Sequence, residues 1–324
     1  MGDEVVLCVG ETMVLLTPDA DFVETARLPA HLAGAESNLA RGLTHLGRPS
    51  RWVSRVGDDP FGALITATLT GYGVDTGHVV VDPDRPTGLM SKTVRGEQTR
   101  VRYYRSGSAA SALSTADLTD AATANVVACH LSGVTPALSD SAADLVESVV
   151  VDRCLGGAMI SFDVNHRPAL WSAATAAPVL RRLADAADVV YVGLDEAASL
   201  WGCRTPAEVR AVLPTPETVV VKDADRPAVA FTGAERTEVP ALRAEVVEVV
   251  GAGDAFAAGH LAAVLAGEDA RTALRLGHLM AAFTVGSPRD LAPLPSADRL
   301  RALAAVDVQA WRDLKITPDL LEET

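Results

Sequence analysis

An aspartate that directly follows a Gly-Ala-Gly run is the part of this sequence best suited to chemistry. Gly251, Ala252 and Gly253 let the backbone approach a ligand closely, and Asp254 follows them at the predicted start of a helix. The free N–H groups of a helix start can hold an anion, and a neighbouring carboxylate can act as a base. This spacing indicates phosphoryl transfer. The simpler alternative is a tight turn with Asp254 in the favourable first turn of a helix.

Two stretches near the N-terminus strengthen the chemical interpretation. They are HLAGAESNLARGLTHLG at residues 31–47 and VSRVGDDPFG at residues 53–62. Together they resemble the N-terminal signature of the PfkB (ribokinase-like) sugar kinases, and GAGDAFAAG at residues 251–259 resembles the C-terminal signature of that family. Matching signatures in the right order are far more specific than GAGD alone. The resemblance extends to about residue 300.

Within this family, four shorter stretches resemble the kinases of 2-keto-3-deoxygluconate. They read TGLM, RVRYYRSGSAAS, LSGVTPALS and FDVNHRPALW. The resemblance implies ATP-dependent phosphorylation of the terminal hydroxyl of 2-keto-3-deoxygluconate or of a close acidic sugar. Two alternatives stay open. One is a kinase for a neutral sugar such as ribose, fructose or a nucleoside, and the other is a sugar-binding protein that kept the fold but has a weakened ATP site.

The resemblance also assigns the catalytic roles. Asp254 is the general base, a role that typically contributes ~10²–10⁴ in rate. Gly251, Ala252 and Gly253 form with it an anion hole, in which one donor is worth roughly 3 kcal/mol. The sequence contains no G-x-x-x-x-G-K-[ST] motif, so a Walker-type phosphate loop is excluded.

Two arginines favour an acidic substrate. Tyr103 and Arg105 are two apart on a predicted strand and therefore point to the same face. Arg167 follows another strand, and a guanidinium can bind a carboxylate through two parallel hydrogen bonds. Both arginines match substrate-contacting positions of the related kinases. The complete set that the resemblance assigns to the substrate is Gly34, Asn38, Met90, Tyr103, Arg105, Arg167, Asp254 and Asp290.

Some of these positions depart from the family pattern. Met90 stands where many 2-keto-3-deoxygluconate kinases have Tyr, and Asp290 follows Gly-Ser-Pro-Arg instead of Gly. In the segment that matches K-x-G-x-x-G, Ala224 and Pro227 replace the glycines. Proline has no N–H, so any nucleotide contact to that N–H is lost.

The resemblance further implies ATP and Mg²⁺, because Mg²⁺ neutralises the β and γ phosphates during transfer. Glu196 matches the acidic residue that helps to place Mg²⁺ through water, although Gly193 stands where the motif has Asn. A carboxylate that only stabilises a helix start is an equally good interpretation of Glu196. The positions assigned to the nucleotide are Asn165, Gly193, Lys222, Asp225, Gly251, Gly253 and His278.

Strands and helices alternate along the chain and must position these groups. The strand candidates are 5–10, 126–131, 158–163, 189–192, 218–222 and 228–232, and the helix candidates are 141–151, 178–187, 205–212, 259–265 and 271–285. Alternation predicts an α/β fold with a mainly parallel sheet covered on both faces, the ribokinase-like three-layer sandwich. Ligands bind beyond the carboxyl ends of such strands. Residues 163–167, residues 193–196, Lys222 and the GAGD turn should therefore converge.

The resemblance implies one kinase domain over residues 1–324. A small sheet would form a discontinuous lid from about 12–33 and 86–106, built from strand candidates 13–16, 22–25, 88–94 and 99–104. The tail from about residue 304 to 324 lies beyond the resemblance, and we expect either a docking helix or a loosely held end.

Composition limits the remaining function classes. With 324 residues, 48% of them hydrophobic, the chain can bury a large core, and its formal net charge of −14 argues against nucleic acid and anionic membranes. The four cysteines are scattered without metal-binding spacing. An acidic start and the lack of a long apolar run predict a cytoplasmic protein. By resemblance we expect a homodimer or a higher homo-oligomer.

Overall fold

The computed structural model describes residues 4–18, 27–95, 98–247, 250–286 and 293–321. Within them, a central sheet has eight strands. From one edge to the other these are β14 Glu235–Val239, β13 Ala228–Thr232, β12 Thr218–Lys222, β11 Val189–Gly193, β10 Met159–Asp163, β9 Val126–Ser132, β1 Val5–Val9 and β4 Ser50–Val53. Neighbours from β4 to β12 are parallel, and β13 and β14 are antiparallel additions. The predicted mainly parallel sheet is confirmed.

Helices cover both faces of this sheet. They are α1 Ala35–His45, α2 Pro60–Gly71, α3 Asp120–Thr123, α4 Asp140–Val150, α5 Ala173–Ala186, α6 Leu194–Trp201, α7 Pro206–Val212, α8 Ala252–Leu265, α9 Ala270–Val285, α10 Ala297–Ala304 and α11 Val308–Asp313. Alternate residues of β1 separate two cores, with Val6 packing toward α1, α8 and α9 and Leu7 packing toward α4 and α5. The three-layer sandwich is therefore as predicted.

Helices α5 and α8 begin before the helix candidates 178–187 and 259–265. Helix α5 begins at Ala173, five residues before the predicted start at Pro178, because the Ser172 side chain accepts a hydrogen bond from the Thr175 N–H and caps the helix. Helix α8 begins at Ala252, seven residues before the helix candidate 259–265, which agrees with the helix start predicted at the Gly-Ala-Gly-Asp run. The Gly-Ala-Gly-Asp run is thus the entry and first turn of α8.

A separate four-stranded sheet contains β3 Ala30–Ala33, β2 Met13–Leu16, β7 Leu89–Arg95 and β8 Gln98–Tyr104, in that order. Three strands agree with the predicted small sheet. The predicted strand at 22–25 lies outside the described residues, and the described strand at this edge is β3. One side of this sheet buries an apolar cluster of Met13, Leu15, Ala33 and Met90. The two-stranded pairs β5 Arg55–Gly57 with β6 Val80–Asp82 and β15 Arg243–Ala244 with β16 Lys315–Ile316 complete the described strands.

Helices α1 and α8 pack unusually closely. A Cβ added at Gly42 would lie 2.6 Å from the Ala258 Cβ, so only glycine allows this approach. On its other side, α8 meets α9, where a Cβ added at Gly259 would lie 2.5 Å from the Leu276 carbonyl oxygen. This packing brings together the N-terminal ends of α1 and α8, which are far apart in sequence.

The C-terminal tail is docked on the fold. Trp311 of α11 is 2% exposed, and its Nε1–H donates to the Pro240 carbonyl oxygen at 3.1 Å. Strand β16 follows and pairs with β15. The four cysteines are free thiols. Among the described residues we find no helix long and apolar enough to cross a membrane.

Candidate active site

The Gly251–Asp254 turn has the backbone geometry of an anion site. Gly251 precedes α8 with φ 81°, a left-handed conformation that glycine adopts at little cost. The helix ladder begins when the Ala255 N–H donates to the Gly251 carbonyl oxygen at 2.9 Å. The N–H groups of the first turn have no partner within a helix, so they are available to a negatively charged ligand.

The Asp254 carboxylate is held by a residue from the other end of the chain. Asn38, in the first turns of α1, donates from Nδ2 to Asp254 Oδ2 at 3.0 Å. Burial raises the pKa of Asp254, the Asn38 hydrogen bond opposes that effect, and Asp163 raises the pKa further. Arg167 and Lys222 lower it. A raised pKa makes this carboxylate a stronger base than an exposed aspartate.

Lys222 places a positive charge over the same turn. Its Nζ donates to Asp163 Oδ2 at 2.8 Å, and a Cβ added at Gly253 would lie 3.3 Å from this nitrogen. Burial disfavours the charged form of Lys222, but Asp163, Glu196 and Asp254 outweigh burial and raise its pKa. The ammonium group is therefore charged where an anion would bind.

Glu196 lies at the start of α6, beside the same group of charges. Its Oε2 accepts a hydrogen bond from the Gly193 N–H at 2.8 Å, which caps the helix. Burial and the nearby Asp163 raise the pKa of Glu196, and Lys222, the Gly193 N–H and Arg167 oppose this. The described part of the chain contains no cluster of three or more His, Cys, Asp or Glu side chains that could hold a metal ion.

Two buried amide atoms, one next to Asp254 and one next to Asp163, have no hydrogen-bond partner among the described residues. They are Asn38 Oδ1 and Asn165 Nδ2. Asn165 directly follows the Asp163-Val164 end of β10, with φ 38°, and its N–H donates to Asp163 Oδ1 at 3.2 Å. Buried polar groups normally have a partner, so these atoms are available to a ligand.

Tyr103 and Arg105, the predicted substrate residues at the end of β8, lie on the same face of the small sheet, as expected from their spacing. The Arg105 Cζ is 5.8 Å from the centre of the Tyr103 ring. Arg105 also forms an ion pair with Glu11, which follows β1, and Glu11 Oε1 accepts a hydrogen bond from Ser108 Oγ at 2.7 Å. The Arg105 Nε is buried and has no partner among the described residues. Arg105 is thus fixed to the central sheet while retaining a free donor.

Gly34 and Met90 have mainly packing environments. Gly34 precedes α1, and a Cβ added there would lie 2.5 Å from Thr12 Oγ1 and 2.7 Å from the Glu11 carbonyl oxygen. The close approach at Gly34 is therefore to the protein's own chain. Met90 belongs to the apolar cluster beneath the small sheet.

Two predicted ligand residues, Asp225 and His278, are not brought into this group of side chains. Asp225 is exposed in the turn between β12 and β13. His278 is buried in α9, where its Nε2–H donates to the Val239 carbonyl oxygen at 3.1 Å and its ring lies edge-on to Phe256. Asp290 lies outside the described residues. In the same turn as Asp225, Ala224 has φ 48°, a left-handed conformation that a glycine would adopt at lower cost.

Sequence reasoning missed one buried acid at the site. Glu36 is 1% exposed in the first turn of α1, and its Oε1 accepts hydrogen bonds from Ser132 Oγ at 2.6 Å and Thr135 Oγ1 at 3.2 Å. Burial raises its pKa to about 7, and the nearby Asp254 adds to this effect. The sequence signal for Glu36 is its carboxylate within the apolar, small-residue stretch that also carries Asn38.

Comparison with known proteins shows the family of this chain. The model of the pfkB family carbohydrate kinases matches residues 3–297, so the chain belongs to that family and is a sugar kinase. The 2-dehydro-3-deoxygluconokinase of Bacillus subtilis (strain 168) is 36% identical over 299 residues, which cover 90% of this chain and 92% of that protein. The enzyme of the same name from Thermoproteus tenax is 37% identical over 275 residues, covering 82% and 83%.

A solved structure gives the same result for the fold. The PfkB protein from Polaromonas sp. JS666 has a TM-score of 0.82 and 32% identity, covering 92% of this chain and 99% of that one. The ribokinase-like fold follows from this similarity and from the sheet order described above.

Proposed function

We propose that this sugar kinase transfers the γ-phosphoryl group of ATP to the terminal hydroxyl of 2-keto-3-deoxygluconate or of a close acidic sugar. The observation that carries the proposal is the Asp254 carboxylate, which Asn38 holds at the N-terminal end of α8 beneath the Lys222 ammonium. The similarity to two 2-dehydro-3-deoxygluconokinases supports the substrate class.

Asp254 takes the proton from the attacking hydroxyl. Its hydrogen bond to Asn38 engages Oδ2 and so fixes the plane of the carboxylate, which leaves Oδ1 for the substrate. Positioning of this kind lowers the barrier because the reacting groups are aligned before the reaction begins. The raised pKa of Asp254 increases its basicity, while the neighbouring Arg167 and Lys222 oppose this rise in pKa.

The first turn of α8 and Lys222 bind the negative charge of the transferring group. When bound, ATP supplies the phosphoryl group, and Mg²⁺ neutralises charge on the β and γ phosphates. The free N–H groups and the positive Lys222 fit a phosphate chemically. The carboxylates of Glu196 and Asp163 fit a hydrated Mg²⁺ that is held mainly by phosphate oxygens.

Arg105 and Arg167 support an acidic sugar. Arg105 has a buried Nε without a partner among the described residues, and Arg167 is exposed near Asp254. Either guanidinium can donate to a substrate carboxylate. One observation favours the second candidate, a kinase for a neutral sugar: the charge of Arg105 is already paired with Glu11. In that case Arg167 alone would remain to recognise a carboxylate.

A substrate panel tests the proposal. Purified protein with Mg-ATP is assayed by ADP release against 2-keto-3-deoxygluconate, ribose, fructose and a nucleoside, and we expect the acidic sugar to give the highest kcat/KM. Arg167→Ala should raise the KM of an acidic sugar far more than that of a neutral one. A preference for a neutral sugar in the unmodified protein, unchanged by Arg167→Ala, would contradict the acidic assignment.

The assigned base is tested separately. Asp254→Asn should lower kcat by ~10²–10⁴ while calorimetry still detects sugar binding. Asp120→Asn, at an exposed position that begins α3, is the matched control and should retain full activity. Equal turnover in the Asp254→Asn and control proteins would refute the mechanism.

A further inference from the structure

The C-terminal tail contacts the fold next to the segment that leads into the Gly251 turn. The family match ends at residue 297, and the tail continues through α11 and β16. In β16, Lys315 and Ile316 pair in parallel with Arg243 and Ala244 of β15. Residues 245–250 then connect β15 to Gly251. The tail is thus hydrogen-bonded a few residues ahead of the phosphate turn.

A buried arginine anchors the tail at its beginning. The Arg275 guanidinium, on α9, donates to the carbonyl oxygens of Ala304 at 2.9 Å, of Val306, and of Asp307 at 3.5 Å. Its Cζ lies 4.9 Å from the centre of the Trp311 ring. A buried charge is stable only when it is hydrogen-bonded, and these carbonyls accept from both terminal nitrogens of the guanidinium. The start of the tail is therefore fixed in one position.

The segment ahead of the phosphate turn carries two exposed apolar side chains. Val246 and Val247 are 64% and 54% exposed, and the Val247 N–H donates to the Val285 carbonyl oxygen at 2.8 Å. Exposed apolar side chains beside an anion site suit a ligand that has an apolar ring attached to phosphates. The backbone of this region is held by Val285, by the Trp311 bond to Pro240 and by β16. Two of these three attachments come from the tail.

We propose that the tail positions residues 240–247 for the nucleotide, with Trp311 and Ile316 as positioning residues for ATP affinity. This inference rests on the proposed function for the identity of the nucleotide. A segment that is ordered before binding does not lose conformational freedom when the ligand arrives. If the tail is detached, that loss occurs on binding and weakens the nucleotide complex. The residues proposed for the sugar, Asn38, Arg105 and Arg167, lie on or next to α1, β8 and β10, whereas the tail pairs with β15. The affinity for the sugar should therefore not change.

Two variants and one control test the inference in the full-length protein. Trp311→Phe keeps an aromatic ring against Arg275 but removes the donor to Pro240. Ile316→Pro disrupts the pairing of β16 with β15, because proline has no N–H and a fixed φ. Val308→Ala, at a half-exposed position on the same tail, is the control. For each protein, KM for Mg-ATP, KM for the sugar and kcat are measured. Calorimetry with a non-hydrolysable ATP analogue gives nucleotide affinity without turnover.

We expect Ile316→Pro to weaken the binding of ATP and of its analogue about 10-fold, and Trp311→Phe about 3-fold, in line with the loss of one or two hydrogen bonds. The sugar KM and kcat should stay within about 2-fold, as they should in Val308→Ala. Unchanged nucleotide affinity in both tail variants would overturn the inference, and so would an equal loss of sugar and nucleotide affinity. If Ile316→Pro does not fold, Trp311→Phe decides. An unmodified protein that binds the ATP analogue but phosphorylates no sugar would refute the proposed function, and the analogue titrations would still test the tail.

Discussion

Replacing Glu36 by Gln should remove part of the pH dependence of stability. In the folded protein the Glu36 carboxyl is buried, and its Oε1 accepts hydrogen bonds from Ser132 and Thr135. Burial raises its pKa from 4.5 to about 7, against the effect of these hydroxyl groups. The glutamine side chain of the variant has a similar shape and keeps an oxygen acceptor, but it does not ionise. The substitution therefore isolates the cost of ionising this buried group.

The sign of the effect follows from proton binding. Between pH 4.5 and about 7 the folded protein holds a proton on Glu36 that the unfolded chain has released. The free energy of unfolding therefore falls as pH rises through this window and is constant above it. At about 1.4 kcal/mol per pKa unit, the difference between the two pKa values corresponds to about 3 kcal/mol in total. Roughly 2–3 kcal/mol of this is lost between about pH 5 and pH 8.

Urea unfolding of both proteins at several pH values between about 5 and 8 measures this component. The free energy of unfolding of Glu36→Gln, minus that of the unmodified protein, should rise by about 2–3 kcal/mol over this range. Glu235→Gln, at an exposed position of β14, is the control and should show a difference close to zero at every pH. A Glu36→Gln difference that does not change with pH would refute the argument from burial.

Three further predictions concern the site and its support. Asn38→Ala removes the hydrogen bond that lowers the pKa of Asp254, so the acid limb of the kcat–pH profile should move to higher pH; an unmoved limb would mean that Asn38 does not tune the base. Lys222→Gln removes the charge over the phosphate turn and leaves Asp163 unpaired, so kcat should fall by ~10² in steady-state assays, and a kcat within about twofold would exclude Lys222 from charge stabilisation. Gly42→Ala places a Cβ 2.6 Å from a Cβ of α8, and urea unfolding should show a loss of about 1–3 kcal/mol, whereas unchanged stability would mean that the two helices separate at little cost.

The sequence predicted the parts of the fold that local patterns control. The strands β9 to β13 are short, apolar and rich in β-branched residues, which is typical of buried strands, and their order along the chain predicted the parallel sheet. Since parallel strands end at one edge, Asp163 and Lys222 could be placed together before the structure was known. The contact between Asn38 and Asp254, 216 residues apart, was accessible only through the family signatures.

Other features depend on tertiary contacts that the sequence does not encode locally. Strand β4 was missed because it has four residues, one of them Arg51, whose charge is paired with Asp75 only in the fold. The ion pair of Glu11 with Arg105 joins the small sheet to the central one, and neither residue has a local reason to meet the other. The docking of the tail likewise depends on Arg275 of α9. Its sequence context does not indicate that it donates to carbonyl oxygens of the tail.

Asn165 couples ligand binding to thermal stability. Its left-handed backbone costs roughly 1–2 kcal/mol, and an unpaired buried Nδ2 costs about 1–3 kcal/mol more. The cost of the unpaired Nδ2 disappears when a ligand oxygen accepts a hydrogen bond from it. The free energy of unfolding is therefore higher with such a ligand bound than without it. Melting temperature should therefore rise with compounds that bind the folded enzyme, including compounds that are bound but never phosphorylated. A thermal-shift screen of sugars and nucleotides can thus map the ligands of this enzyme without an assay of turnover.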